Sequence, residues 1–191
     1  MDDVASSTPP AAPDVRRAFR RAPAAALFAS ALGAGLSPVA PGTAGSAVGL
    51  LLSWLLSRAF VIDGSSVFAP PGLLMSGLLI ALAGVPAAAR AARESGAKDP
   101  GFVVIDEVAG QAIASCTVPM FLYPAPGREA LAWLASFFFF RLFDVWKPGW
   151  IRRSQAYPGG WGIVIDDVLA GLLAAGATAA TAWIASTGRL W

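Results

Sequence analysis

The sequence predicts an all-α fold: a compact helical bundle, membrane-associated through apolar transmembrane or re-entrant helices. Three observations predict it. The 191 residues are 56% hydrophobic and 14% charged, against about 25% charged in ordinary soluble domains. Ala, Leu and Gly dominate the apolar stretches and no alternating strand pattern persists. Residues 168–187 carry no charge at all, which is length enough to cross a bilayer.

Composition also excludes chemistry. The chain has no histidine, which removes His nucleophiles, His acid–base catalysis, Ser-His-Asp triads and most zinc sites. What remains is carboxylates, Lys, Arg, hydroxyls and backbone amides, for which oxygen-ligated Mg²⁺ or Mn²⁺ is the natural electrophile. Net charge is only +2 and no basic stripe is interleaved with aromatics, so no nucleic-acid partner is expected. The single cysteine, Cys116, lies in an apolar run and reads as a small core residue.

Residues 1–23, rich in Pro, Ala, Ser and charge, read as a disordered basic tail. That leaves 24–191 as one helical domain. Arg16, Arg17, Arg20 and Arg21 read as a cytoplasmic anchor on anionic headgroups. The first apolar run, 24–36, gives way to a Pro/Gly loop that ends in Gly42-Thr43-Ala44-Gly45-Ser46. An apolar helix is expected over 47–62. Thr43, Ser46 and the amides near Gly42 and Gly45 would then stand at a helix N-terminus, where anions bind. No Lys follows the last glycine, so this is not a Walker loop, and a plain helix connection is the competing reading. Residues 67–89 are apolar over a bilayer's length, broken by Pro70, Pro71, Gly84 and Pro86, and Arg90, Arg93 and Lys98 would mark their cytoplasmic end. A turn is expected over 119–127 and an aromatic-rich helix over 130–143.

The acidic residues divide in two. Asp2, Asp3, Asp14, Asp63, Glu94 and Glu129 lie in polar settings, whereas six others form three clusters within apolar sequence. The first is Asp99 with Asp106-Glu107, the second Arg141-Leu142-Phe143-Asp144-Val145-Trp146-Lys147, and the third Asp166-Asp167. An unpaired buried carboxylate costs several kcal/mol, and a divalent cation is the simplest compensation. Arg141, Asp144 and Lys147 share a helix face. Asp106 lies one turn before Gly110 and Asp167 one turn before Gly171, so another helix or a substrate could approach each acid closely. The competing account makes the pairs helix caps and Arg141–Asp144–Lys147 a salt-bridge ladder. Such a ladder is worth a few tenths of a kcal/mol per pair and leaves three acidic clusters in a charge-poor chain unexplained.

These blocks resemble the bacterial phosphatidylglycerophosphatase A family. The resemblance runs in order through residues 35–46, Asp99-Pro100, Asp106-Glu107 with Gly110, residues 140–148 and residues 159–171. It implies an all-α domain over 24–191, the bacterial inner membrane with the active site facing the cytoplasm, and an anionic phospholipid substrate. The implied reaction is Mg²⁺-dependent removal of the terminal phosphate of phosphatidylglycerophosphate, leaving phosphatidylglycerol. On this reading Asp106, Glu107, Asp144, Asp166 and Asp167 hold Mg²⁺, with Lys147 also catalytic. Gly42, Thr43, Gly45, Ser46, Lys98, Arg141 and Lys147 bind phosphate, and Asp144 is the expected general base. Two rival classes are weaker. An ion-conducting or transporter-type protein would carry acids within its spans, whereas here they sit at span edges. A CDP-alcohol phosphotransferase would need a spaced acidic signature that is absent.

Overall fold

The computed structural model describes residues 14–61, 67–121 and 128–187. Among them the chain forms eight α-helices and two short 3-10 segments, with no strand. Residues 1–13, and all but the first three residues of the turn expected over 119–127, lie outside this set.

Residues 14–23 depart from the expected loose tail. Helix α1 (Val15–Arg21) is capped by the Asp14 side chain, which accepts the Arg17 N–H at 2.9 Å. The Asp14 N–H in turn donates to the Ser95 carbonyl at 3.0 Å. Composition averaged over this segment hid an apolar stripe. Ala18 is fully buried, and Phe19 packs on Phe102 with ring centroids 6.1 Å apart.

Helix α2 (Pro23–Ala29) ends in a reversal through Ala31, Leu32 and Gly33, all at positive φ, followed by the 3-10 segment Ala34–Leu36. Helix α3 (Pro41–Ala59) starts six residues before the expected position. Proline is preorganised for the first helical position, so the proline that looked like a breaker is an initiator. Helix α4 (Ala69–Ser95) likewise admits Pro70 and Pro71 in its first turn, carries Pro86 inside, and stops at Gly96 in the left-handed conformation.

Helix α5 (Ile105–Ala114) is short, almost wholly buried, and continues as the 3-10 segment Ser115–Phe121. It is surrounded by α3, α4, α6 (Arg128–Trp146) and α8 (Trp161–Ser186), while α7 (Gly149–Ser154) packs on α8. Glycine makes this central position available. A Cβ on Gly110 would lie 2.5 Å from the Phe140 ring and 2.6 Å from the Asp167 carbonyl. One on Gly171 would collide with the Gly110 carbonyl. The α5 and α8 backbones therefore touch at Gly110 and Gly171, and each carries an aspartate one turn earlier. Below the crossing, Gln111 donates to Ser115 Oγ at 3.0 Å and Ser115 bonds Ser136 of α6 at 3.2 Å, fixing the register of the two helices.

Two helices, Ala69–Ser95 and Trp161–Ala185, are long and apolar enough to cross a membrane, and both leave most of their apolar surface outside the bundle. Leu51, Leu55, Leu79, Leu82, Leu131, Leu134, Phe138 and Leu172 add exposed apolar area on four helices. Large apolar side chains exposed on this scale suit a lipid or partner surface, in keeping with an all-α membrane-associated fold. The bundle has two distinct ends. One holds Arg58 of α3 paired with Glu129 of α6; the other holds the acidic clusters.

Candidate metal and phosphate site

The α5–α8 crossing brings Asp106, Glu107 and Asp167 together. One carboxylate oxygen of each lies within 4.8 Å of the others, a spacing that suits one hard cation held by several oxygens. Asp106 and Asp167 are buried and Glu107 nearly so. Asp106 Oδ1, Glu107 Oε2 and Asp166 Oδ1 are buried without a hydrogen-bond partner. Native structures rarely leave such atoms unsatisfied, and a divalent cation at the convergence of Asp106 and Glu107 would satisfy the first two. Burial, followed by the neighbouring Glu107 and Asp167 charges, holds the Asp106 carboxyl well above the usual carboxylate range. Burial does the same, less strongly, for Glu107. The donor set therefore fits a divalent metal.

The capping account separates the two acid pairs. Asp106 and Glu107 do stand in the first turn of α5, where the macrodipole favours them. Asp166 and Asp167 do not cap α8, which begins at Trp161 with no acid in its first turn.

A second half of the site lies at the C-terminus of α6. Arg141 donates to Asp144 at 2.5 Å and Lys147 reaches the other Asp144 oxygen at 3.2 Å. Lys147 Nζ also lies 2.5 Å from Asp166 and 3.5 Å from Asp167. Its backbone is left-handed, φ 42°, immediately before Pro148. Lysine takes that conformation at a cost of about 1 kcal/mol. Burial alone would depress the Lys147 ammonium, but the Asp167, Asp166 and Asp144 carboxylates hold it above its ordinary value.

The structure thus divides the five carboxylates expected to share metal. Asp106, Glu107 and Asp167 converge, while Asp144 and one oxygen of Asp166 are engaged by cationic side chains, and Asp167 lies at the edge of the reach of Lys147. With both Asp144 oxygens ion-paired, its expected role as base is poorly served.

The Gly-Thr-x-Gly-Ser stretch reaches the same place from α3, as the first two turns of the helix instead of a loop before it. A Cβ on Gly42 would lie 2.5 Å from Glu107 Oε1 and 3.4 Å from the Arg141 guanidinium. Pro41 has no N–H and Ala44 N–H bonds Ala40, so the open amides are those of Gly42 and Thr43. The Thr43 side chain is exposed. Ser46 Oγ donates to the Gly42 carbonyl at 2.9 Å and accepts from Arg141 at 3.3 Å. Gly45 faces α5, where a Cβ would lie 2.7 Å from that of Val104; its position is one of close packing. Lys98 is exposed beyond the cluster.

Two residues had no assigned role in the sequence. Gln155, just after α7, donates to Asp166 Oδ2 at 2.8 Å, and a lone polar loop residue offers no signal for that. Asp99, at the rim, has its carboxyl raised by partial burial and then by the Asp166 charge. Its place in the first acidic cluster was the available signal.

Comparison with known proteins follows the same blocks. Residues 27–182 match the family profile of phosphatidylglycerophosphatase A. A Bacteroides thetaiotaomicron protein whose description proposes a phosphatidylinositol-3-phosphatase is 32% identical over 83% of this chain and 93% of its own length. Phosphatidylglycerophosphatase A of Escherichia coli is 34% identical over 78% of both chains. Its Haemophilus influenzae counterpart is 34% identical over 78% of this chain and 82% of its own. No solved structure matches.

Proposed function

The chain belongs to the phosphatidylglycerophosphatase A family, and from that premise we propose that this site removes the terminal phosphate of phosphatidylglycerophosphate with the help of Mg²⁺. One observation carries the chemistry: three enclosed carboxylates converge, two of them with an unsatisfied oxygen, beside an Arg–Lys pair already held by other acids.

Asp106, Glu107 and Asp167 would hold the cation, and when bound it supplies positive charge to the phosphate and acidity to an attacking water. Phosphate monoesters are among the slowest substrates in water, so preorganised charge is the main requirement. Arg141 and Lys147 provide it from one side; Asp144 orients both, and Asp166 with Gln155 fixes Lys147. The Gly42 and Thr43 amides at the start of α3 add neutral donors aimed along a helix dipole. Glu107 and Arg141 flank Gly42, so an anion on those amides would face both halves of the site.

The basic residues of the site end, Arg90, Arg93, Lys98, Arg152 and Arg153, support a cytoplasmic-facing site at the bacterial inner membrane. With α4 and α8 placed as spans, the acids stand near the headgroup level, where a lipid phosphate would meet them.

The deciding experiment is phosphate release by purified enzyme, with and without chelator. The substrates are phosphatidylglycerophosphate, phosphatidylinositol 3-phosphate and a water-soluble phosphomonoester. Activity on the first that is lost in EDTA and restored by Mg²⁺ is expected. Full activity in EDTA, or in Asp167→Asn, would overturn the metal assignment.

A further inference from the structure

The connection from α6 to α8 carries features that the hydrolytic site does not use. Trp146, Trp150, Tyr157 and Trp161 are 63%, 51%, 57% and 47% exposed, a costly concentration of aromatic surface in water. Among them Arg152 and Arg153 are exposed and take no part in any ion pair among the described residues. The segment is nevertheless held firmly. Ile151 is fully buried, Ser154 Oγ bonds the Ile151 carbonyl at 2.7 Å, and Gln155 reaches Asp166.

Tryptophan and tyrosine with arginine between them is the composition of a membrane–water boundary, where amphipathic rings sit at headgroup level. The opposite end of α8 supplies an independent measure. Trp183 is also exposed and lies about 22 residues beyond Trp161 on one helix, or about 33 Å of rise. A bilayer's hydrocarbon core is about 30 Å thick. Helix α1 is also basic, but its aromatic residue, Phe19, packs inward on Phe102 and Arg21 lies 3.9 Å from Glu94. It offers charge without boundary aromatics.

We propose that residues 146–161 form an interfacial collar that docks on the headgroup layer of an anionic phospholipid bilayer. Trp146, Trp150 and Trp161 lie at the headgroup–acyl boundary, and Arg152 and Arg153 engage lipid phosphates. The collar sets the depth at which the site meets a lipid substrate and raises the local concentration of anionic lipid beside it. The inference rests on the lipid-phosphatase reading for its purpose, though not for its test.

Full-length protein in nanodiscs of phosphatidylcholine with phosphatidylglycerol provides the first arm. Replacing Trp150→Phe should remove an emission component that lipids brominated near the headgroup quench and aqueous iodide does not. A Trp150 component quenched by iodide alone would overturn the proposal, as it would if the arginines served an acidic protein face absent from this system. The second arm is kinetic. In mixed micelles the double variant Arg152→Gln with Arg153→Gln should raise KM for the lipid substrate about thirtyfold, the scale of two surface arginines near anionic lipid. Its kcat, and its hydrolysis of a water-soluble phosphomonoester, should not change. An unchanged lipid KM, or equal losses on both substrates, would overturn the proposal. The fluorescence arm needs no substrate, so it decides docking even where the phosphatase reading fails.

Discussion

The two halves of the site use the same residue type in opposite ways. At the C-terminus of α6, Asp144 and Asp166 are matched by Arg141, Lys147 and Gln155 at 2.5–3.2 Å. At the α5–α8 crossing, Asp106, Glu107 and Asp167 converge, with Asp106 Oδ1 and Glu107 Oε2 unpartnered and an ammonium 3.5 Å from Asp167. The first half is held by the chain's own cations, with Asp166 Oδ1 left open; the second has fewer such partners, and a cation from outside the chain would supply one. Neighbouring aspartates in one helix, Asp166 and Asp167, fall on opposite sides of that division, because adjacent helical positions differ by about 100° in direction. Proximity in sequence is therefore a poor guide to shared ligation here, and the partner each oxygen already has is a better one.

The largest test of this contrast is to neutralise each aspartate in turn. Asp167→Asn should lower kcat by about 10²–10³-fold and raise the Mg²⁺ concentration for half-activity. Asp166→Asn should lower kcat about tenfold with the Mg²⁺ requirement unchanged, since it loosens Lys147 alone. Initial rates over a Mg²⁺ titration read both, and a shifted Mg²⁺ requirement in Asp166→Asn would merge the two halves.

A smaller effect is expected on stability. The Asp106 and Glu107 carboxyls are held above their ordinary range in the metal-free fold, so between the unfolded and folded pKa values the native state binds more protons than the unfolded state. Its stability must then fall as pH rises from about 4 through the raised values. Mg²⁺ at about a hundred times its dissociation constant should return about 2.7 kcal/mol and flatten that slope. Thermal melts across pH, with and without Mg²⁺, measure it; parallel curves would count against a cation at this site.

Smaller again is Gly171→Ala. Its methyl group meets the Gly110 carbonyl, costing about 1–3 kcal/mol and prising Asp167 from Asp106. Both melting temperature and Mg²⁺ affinity should drop, whereas Gly176→Ala, with open space around it inside the same helix, should leave Mg²⁺ affinity unchanged and raise the melting temperature slightly. The smallest is Gln155→Ala, which removes one hydrogen bond to a charged group. It should cost about 1.5 kcal/mol of stability, with a fall in kcat smaller than that of Asp166→Asn and no change in Mg²⁺ dependence.

Much of this was legible in the residues. The shared spacing of Asp106 with Gly110 and Asp167 with Gly171 foretold two helices in close approach, and the glycines of α5 and α8 do touch. Arg141, Asp144 and Lys147 do share one helix face, and they form the ion-pair ladder that the competing account expected of them. Three things were not legible. Helix starts were missed at Pro41 and Trp161 because Pro and Gly read as breakers, although both are at home just at or before a first turn. Helix α1 was hidden by arginines that flank a single buried face. The division of labour among five acids depended on tertiary partners such as Gln155, which no local pattern announces.

The glycine crossing has one more implication, for how the protein breathes. Binding and catalytic groups usually ride on loops that open at little cost. Here the acids proposed to hold the metal sit on the most enclosed helix of the bundle and on the helix that crosses it. Amide protons of α5 should be among the slowest to exchange with solvent, and freeing its carboxylates would mean opening the bundle itself. A site built this way cannot loosen in advance of its scaffold, so heat should extinguish activity and helix packing together.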